Sequence, residues 1–478
     1  MPRLQATSQR RTFAVLAGAA GAFAMLQSLV SPVLPVIQRD LHTSASTVTW
    51  VLTAWLLAAS VATPLMGRIG DMIGKDRTLL VALAAIAAGC LVAALAPNVG
   101  VLIAARVLQG LGGAVFPLAF GILRDEFPPD RMVSAVGGMS AVLAVGGGAG
   151  IVLAGPVVAA LDWRWLFWLP FGVMALTLVL AYRWIPASPV RTPGRVNWFA
   201  AVLLSAWLVA LLLPLSKAGS WGLLPVAGLL ALAVVLFLGW VAVELRAGNP
   251  LVDMRMMRLP TVWTTNVVAL LFGAAMFSVY AFLPLFMQIP AATGYGFGAS
   301  VGRAGLLMLP LLVTMAVVGA LSGPATRWLS SRTQVICGAV LGAVSCTMLA
   351  LAHTHPWQVA LAAGIFGVGI GLAYAAMTSL IVHSVPVAQT GVASGMNANI
   401  RTIGASIGTA VVSGIVTHGL RPDGLPRESG FTTAFAVLAG AATLAVLVAL
   451  LIPRTRRATP APATAPVSTP ELADANAS

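Results

Sequence analysis

The stretch Gly67-Arg-Ile-Gly-Asp-Met-Ile-Gly-Lys-Asp-Arg77 is a short charged segment that is interrupted by glycines. It lies between two apolar runs, at about residues 48–67 and 78–97, and each run is long enough to cross a lipid bilayer. Because a membrane span must satisfy its backbone hydrogen bonds internally, both runs are predicted to be helices. So short a connection forces the helices to run antiparallel, side by side, and places the segment at a membrane face.

The composition predicts a protein built from many such helices. Hydrophobic residues make up 59% of the 478 residues and charged residues only 8%, whereas soluble domains carry about 25% charged residues. A soluble globular fold is therefore excluded. The net charge of +14 would suggest a nucleic-acid partner in a soluble chain, but in a membrane protein it matters which loops hold the positive residues. We expect no nucleic-acid partner.

Fourteen apolar runs follow one another along the chain, and each is close to the length that a membrane-spanning helix needs. The first run is too long for the apolar part of a signal peptide, so we interpret it as a retained span. The runs lie at about 13–37, 48–67, 78–97, 99–123, 132–160, 163–185, 196–216, 221–243, 262–288, 303–324, 333–352, 356–383, 391–418 and 430–452.

The positive residues predict the orientation. If the N-terminus is cytoplasmic, nineteen of the 27 lysines and arginines fall in cytoplasmic segments and six in external ones. The other two, Arg106 and Arg401, fall within spans. Positive residues prefer the cytoplasmic side, so both termini are predicted to be cytoplasmic. Because only two of the 27 are lysines, we expect a GC-rich bacterial source and hence a bacterial cytoplasmic membrane.

An internal repeat is visible at a shift of 257 residues. It aligns Gly110, Gly112, Pro129, Gly138-Met139 and Gly147 with Gly367, Gly369, Pro386, Gly395-Met396 and Gly404. Spans 1–6 and 9–14 are then two homologous halves that start from the same side, and spans 7 and 8 are an inserted pair. We predict a cytoplasmic N-tail at 1–12, the first half at 13–187, the inserted helices with linkers at 188–259, the second half at 260–453 and a disordered cytoplasmic tail at 454–478.

The segment quoted first resembles the signature loop of the major facilitator superfamily, Gly-x-x-x-Asp-Arg/Lys-x-Gly-Arg/Lys-Arg/Lys, although Met72 and Asp76 stand where the family has basic residues. The resemblance implies an all-α membrane protein with fourteen transmembrane helices, arranged as two six-helix pseudo-symmetric halves plus two inserted helices. It also implies that the segment gates transport, with Asp71 contacting the other half through its charge and a helix dipole. The gating residues predicted in this way are Gly67, Gly70, Asp71, Gly74, Lys75 and Arg77.

The two arginines within spans are candidates for coupling. Residues 106–114 resemble the fourth-span family motif Arg-x-x-Gln-Gly-x-Gly-x-Ala, which assigns Arg106 and Gln109 to the central cavity and to proton coupling or substrate contact. The alternative is an arginine that only ties span 4 to the carbonyls of span 1, because a guanidinium buried in lipid needs acceptors. In span 13, Asn397 and Arg401 share a helix face, so the amide can support the guanidinium. A similar pair is found in fourteen-span relatives, which favours shared machinery over a substrate clamp.

Glycines at four-residue spacing predict close helix packing. Gly146 and Gly150 resemble the family's antiporter motif Gly-x-x-x-Gly-Pro-x-x-Gly-Gly, with Ile151 in place of the proline. Gly404 and Gly408 have the same spacing in span 13. These four are the predicted packing glycines.

Acidic residues are absent from the middle of the spans. The resembling fourteen-span drug:proton antiporters carry an Asp in span 1, and Leu26 stands at that place here. With no fixed anion in the core, the two arginines favour neutral, zwitterionic or anionic amphiphiles as substrates. The groups left as candidate proton carriers are Asp71, Asp125, Glu126, Asp162, His383 and His418, of which Asp125 and Glu126 are expected to be solvated loop charges.

Family geometry places a largely apolar cavity among spans 1, 4, 9 and 12. We therefore predict a secondary transporter that exports lipophilic small molecules or drugs by alternating access, in exchange for protons. The alternatives are an exporter or importer of one metabolite and, less favoured, a membrane-embedded enzyme or a sensor. We expect a monomer that contacts membrane lipids and has no cofactor or metal site. The substrate-cavity residues predicted from the family geometry are Gln27, Ser28, Phe116, Asn266, Tyr280, Tyr374 and Met377, with Phe286 beside them.

Overall fold

The computed structural model is helical, with no β-strand in the part of the chain that it describes. The predicted all-α fold is confirmed. The tail after Arg454, His418 and Pro386 of the repeat lie outside the described residues. The structure describes residues 2–48, 50–188, 197–217, 221–248, 254–326, 328–385, 390–417 and 424–454, together with Pro250, Val252 and Arg421.

Each predicted apolar run coincides with one long helix. Among the described residues, thirteen helices are long and apolar enough to cross a membrane. The remaining long helix, α5, has 32 residues and ends in an apolar stretch. The helices are α1 (Pro2–Leu29), α2 (Trp50–Ile73), α3 (Lys75–Ala94), α4 (Val99–Glu126), α5 (Pro129–Ala160), α6 (Trp165–Trp184), α7 (Trp198–Lys217), α8 (Leu223–Arg246), α9 (Pro260–Gln288), α10 (Val301–Ala325), α11 (Ser331–Leu351), α12 (Pro356–Ser384), α13 (Thr390–Thr417) and α14 (Glu428–Leu450).

The connection between α2 and α3 differs from the prediction. Instead of a loop over residues 67–77, the two helices meet at the single residue Gly74, whose φ is +116°. Residues with a side chain rarely adopt this backbone conformation, so only a glycine allows the chain to reverse direction there without strain. The Gly74 N–H donates to the Gly70 carbonyl at 3.0 Å and completes the last turn of α2. The charged residues of the segment therefore lie on helix ends, which fix their positions.

The same pattern of helix contacts occurs twice. In the first half, α1 packs on α5 and α6, α3 packs on α4 and α6, and α2 packs on α4. Eight helices later, α9 packs on α13 and α14, α11 packs on α12 and α14, and α10 packs on α12. The two six-helix halves inferred from the shift of 257 residues thus share one internal arrangement.

The two halves meet along two seams. In one seam α5 lies against α10, and Gly155 and Gly302 let the backbones approach closely. In the other seam α2 lies against α13. The inserted helix α7 covers this second seam, since Trp207 packs in one apolar cluster with Leu65 of α2 and Ile403 of α13. Helix α8 packs on α7 and is largely exposed on its other sides.

The four predicted packing glycines lie at two close helix crossings. Where α9 crosses α13, a Cβ on Gly404 would overlap the Leu270 carbonyl oxygen, and a Cβ on Gly408 would lie 2.5 Å from the Ala274 Cα. Where α1 crosses α5, a Cβ on Gly146 or Gly150 would meet α1 backbone atoms just as closely. Only glycine allows these distances.

We expect Gly404→Leu to destabilise the protein by about 3 kcal/mol or more, because the backbones of α9 and α13 would have to separate. Gly414→Leu is the matched control on the same helix, since a Cβ there meets nothing within 4 Å. The measurement is the apparent melting temperature of the detergent-solubilised protein. Equal melting temperatures for the two variants would contradict the close crossing.

Candidate functional site

A cavity lies between the two halves. Its inner part is lined by α1, α2, α4 and α5 and by α9, α10, α12 and α13, which are the helices that the repeat pairs with one another. The site is thus built from equivalent helices of both halves. The lining residues are Phe23, Ala24, Gln27, Ser28, Trp55, Ala59, Thr63, Gly113, Phe116, Leu143, Gly147, Met276, Phe277, Tyr280, Met315, Ile370, Tyr374, Ala398, Arg401 and Thr402.

The cavity is wider toward one end of the helix bundle. This wider part has a volume of about 360 Å³ and reaches Pro35, Gln288 and Ser413, at the end that the sequence predicts to be external. Toward the opposite end a space of only about 10 Å³ remains beneath Arg401. There α13 lies against α4, and a Cβ on Gly395 would lie 3.1 Å from the Pro117 Cβ. The cavity is therefore wide at one end and narrow at the other.

The structure places five of the seven predicted cavity residues in the inner lining, namely Gln27, Ser28, Phe116, Tyr280 and Tyr374. The remaining predicted residues lie elsewhere: Met377 is buried in an apolar cluster of the second half, Asn266 is buried against α13, and Phe286 belongs to an aromatic cluster.

Apart from Arg401, which was predicted as a coupling and central-cavity residue, the prediction of the substrate cavity missed the residues that α2, α5, α10 and α13 contribute, such as Trp55 and Thr402. It considered only four spans. The internal repeat could not have indicated the others, since it pairs span 1 with span 9 and span 4 with span 12, and this set is already complete.

Arg106 is fully buried and is held by the first half. Its Nε donates to the Val51 carbonyl at 3.0 Å, and its Nη1 donates to Gln109 Oε1 at 2.7 Å and, at a longer 3.5 Å, to the Leu26 carbonyl. Its Cζ lies 5.3 Å from the centre of the Trp55 ring. Arg106 and Gln109 are absent from the cavity lining. The side chain thus ties α4 to α1 and α2, which is the alternative role that the sequence left open.

Arg401 has a different environment. It is 7% exposed and lines both the inner cavity and the small space beneath it. Its Cζ lies 4.0 Å from the centre of the Tyr374 ring. The predicted support by Asn397 is not found: the Asn397 Oδ1 accepts no hydrogen bond from the guanidinium, and its Nδ2 donates to Asn266 Oδ1 at 2.9 Å. Among the described residues, no acceptor takes a hydrogen bond from the Arg401 guanidinium.

The charged residues between α2 and α3 are held by the first half and by Ser188, which directly follows it. Lys75 Nζ forms an ion pair with Asp125 Oδ2 at 2.7 Å, and both side chains are largely buried. Asp125 is therefore not the solvated loop charge that we expected. The Asp76 carboxylate accepts from the Ser188 N–H at 3.1 Å. Asp71 is half-buried and has no hydrogen bond or ion pair with any described residue.

The other predicted motif residues contribute backbone geometry or surface charge. Gly70 lies against Leu118, where a Cβ on Gly70 would meet the Leu118 Cδ2 at 2.5 Å, whereas Gly67 has open space around it and Arg77 is exposed.

In the second half, Arg332 stands where the repeat places Lys75. Its Nε and Nη2 donate to the carbonyls of Ile452 and Leu450, at 2.6 and 2.8 Å, and so cap the end of α14.

The cavity lining carries positive charge and no negative charge among the described residues. Arg401 is the one charged side chain in the cavity linings of the described residues. Four candidate proton carriers, Asp71, Asp125, Glu126 and Asp162, lie at helix ends or in the α5–α6 connection, outside these linings. The site is an apolar chamber that presents one guanidinium.

The chain is similar to known transporters. A sequence profile described as Major Facilitator Superfamily matches residues 16–409, with a second match over 289–475. The Tetracenomycin C resistance and export protein of Streptomyces glaucescens is 31% identical over 401 residues, which cover 81% of this chain and 72% of the relative. The Cephamycin export protein CmcT of Amycolatopsis lactamdurans is 31% identical over 473 residues, which cover 96% of each chain. The fold matches the crystal structure of the human organic anion transporter MFSD10 with a TM-score of 0.65 and 16% identity, over 92% of this chain and 99% of that chain.

The two arginines should differ in their effect on stability. Arg106→Gln removes the hydrogen bonds that the guanidinium donates to the carbonyls of Val51 and Leu26, so we expect a loss of about 2 kcal/mol and a lower melting temperature. Arg401→Gln removes a buried charge that lacks a described acceptor, so we expect an unchanged or higher melting temperature. The two variants are compared by thermal unfolding in one detergent. An equal loss in Arg401→Gln would assign a structural role to Arg401.

Proposed function

Because the chain belongs to the major facilitator superfamily, we propose that it is a secondary transporter that exports lipophilic small molecules, including drugs, across a bacterial cytoplasmic membrane. The observation that carries this proposal is the apolar cavity between two repeat-related halves, wide at one end and narrow at the other. The chain is a transporter and not an enzyme, so the cavity has to bind and release its ligand without reacting with it.

The transport cycle follows from the shape of this cavity. We place both termini in the cytoplasm, so that the wide part of the cavity faces the outside. Rocking of the two halves about the cavity would bring them together at the end predicted to be external. It would separate them at the opposite end, where Gly395 now lies against Pro117. The substrate then enters from the cytoplasm and leaves to the outside. The apolar lining offers few directional partners, which suits amphiphiles of many shapes.

The relatives support export and also favour a second candidate function. Both relatives named above are described as export proteins. Each is named for one compound or compound class, however, which favours a dedicated exporter of a single metabolite as the alternative. The two candidates differ in whether many unrelated compounds or only one are transported.

Exchange for protons is the energy source that we propose, in keeping with the antiporters that the sequence motifs resemble. A proton carrier must then lie outside the cavity, at a helix end. Asp71 is the strongest candidate on α2, since it is half-buried and has no ion pair with a described residue. We propose that Asp71 contacts the second half in one state of the cycle and loses that contact in the other.

The first test is pH-gradient-driven movement of a fluorescent lipophilic dye in proteoliposomes. We expect wild-type protein to move several unrelated dyes and Gly147→Phe to move none. Gly147 lines the cavity and has nothing within 4 Å of an added Cβ, so the ring can fill the cavity without disturbing helix packing. Gly440→Phe is the matched control, because Gly440 is exposed on α14 and has equally open surroundings.

Each alternative outcome of this test removes a different part of the proposal. Movement that persists without a pH gradient would exclude proton exchange. Transport of one metabolite but of no dye would favour the dedicated exporter. Full activity of Gly147→Phe would show that the substrate takes another route.

A second test concerns Asp71. We expect Asp71→Asn to lower the transport rate several-fold with unchanged expression and melting temperature, because the carboxylate has no structural partner among the described residues. Asp76→Asn is the control on the neighbouring helix, since the Asp76 carboxylate accepts a hydrogen bond from the N–H of Ser188, directly after the first half. Efflux by Asp71→Asn at the wild-type rate, with equal protein in the membrane, would end the gating hypothesis.

A further inference from the structure

We propose that Arg401 and Tyr374 form a seat for an anionic group in the inner cavity, so that the preferred substrates are amphiphiles that carry one carboxylate, phenolate or similar anion. This inference rests on the proposed transport function and names the chemical class of the substrate.

The first argument is that the guanidinium needs an acceptor. Arg401 lies in the wall of an apolar cavity with 93% of its surface buried. A charged side chain in such a place is costly unless it is paired and hydrogen-bonded. Within the part of the chain that the structure describes, no carboxylate, carbonyl or hydroxyl accepts from its five N–H donors. The missing partner is an anion that enters the cavity.

Arg106 is the second arginine within a span, and its hydrogen-bond partners differ from those of Arg401. It has the same side chain, is also buried, and obtains three acceptors from α1, α2 and α4. It is walled off from the cavity by Trp55, whose ring it contacts. Arg401 has none of these acceptors and is open to the cavity. The two arginines of the spans therefore have different partners, and only one of them can reach a ligand.

Tyr374 stabilises the Arg401 guanidinium through its ring face and occupies none of the guanidinium's N–H donors. The Arg401 Cζ lies 4.0 Å from the ring centre, a distance typical of a cation–π contact. The ring stabilises the positive charge but accepts no hydrogen bond, so the N–H groups stay available. A carboxylate can then bind two of them in the bidentate manner that arginine favours.

The rest of the cavity fits the apolar part of such a substrate. Phe23, Phe116, Met276 and Phe277 surround the space beside Arg401. Gln27 also lines this cavity and has no hydrogen bond to a described residue, so its amide can make a second polar contact with the substrate. No acidic side chain lines the described cavity, so a cationic head group would meet only a like charge.

The test uses three probes with one dansyl-alkyl body: dansylaminoundecanoate, its methyl ester and the corresponding primary amine. Binding is measured by dansyl fluorescence on the protein in phosphatidylcholine nanodiscs, so that no anionic lipid competes. We expect the acid to bind at least about tenfold more tightly than the ester or the amine, since a charge-assisted hydrogen bond contributes about that factor or more.

The variants separate the charge from the shape of the site. Arg401→Gln should weaken binding of the acid about tenfold and leave the ester unchanged, and Arg401→Lys should keep a smaller preference for the acid because its charge remains. Arg303→Gln is the matched control, since Arg303 is exposed at the start of α10. Loss of the acid preference in Arg303→Gln would contradict the assignment to Arg401.

Transport of the same probes in phosphatidylcholine vesicles distinguishes the two levels of the proposal. If binding of the acid depends on Arg401 but no probe is moved, the anion seat stands and the export function fails. If probes are moved without preference for the acid, export stands and the anion seat is wrong. An acid preference that survives in Arg401→Gln also overturns it, and so does the absence of binding by any probe.

Discussion

The crossing of α9 and α13 is the contact on which the site depends. Lipid tails are as apolar as leucine, so helices in a membrane associate through packing and hydrogen bonds instead of the hydrophobic effect. Here Gly273 of α9 lies against the Arg401 carbonyl, while Gly404 lies against the Leu270 carbonyl. Backbone therefore rests on backbone at the level of the guanidinium. This crossing fixes the rotation of α13 about its axis, and the rotation decides which side chains of α13 reach the cavity.

The first half uses the same construction at α1 and α5, where Gly146 lies against the Gly21 carbonyl. Two rigid walls of similar build thus face each other across a cavity that neither half could form alone. The halves contact each other along the two seams and also where α13 lies against α4 and α12 against α5, and the inserted helix α7 covers the seam between α2 and α13. Leu212 of α7 reaches the wide part of the cavity between α2 and α13. The inserted pair is therefore part of the cavity wall as well as an addition to the bundle.

The sequence predicted the fold well because its signals are strong in a membrane chain. Apolar runs of fixed length identify helices, and a repeat of ordered glycines identifies two halves. The single-residue turn at Gly74 was missed, because charged residues on helix ends have the composition of a loop. The motifs did indicate both arginines. They could not tell which one reaches the cavity, since that depends on helix rotation, and they could not show that Asn397 pairs with Asn266.

The single guanidinium in the cavity also bears on the energy that drives transport. In a cell with a negative interior, an anion that leaves the cytoplasm moves down the electrical gradient, which contributes about 2.3 kcal/mol for each ~100 mV of membrane potential. That free energy corresponds to a concentration ratio of about fifty between outside and inside. Export of a monoanion can thus be concentrative without a titratable carboxylate in the pathway. For a monoanionic substrate the membrane potential would thus add to the proposed proton exchange as a second driving force, even with a leucine at position 26 where resembling antiporters have an aspartate.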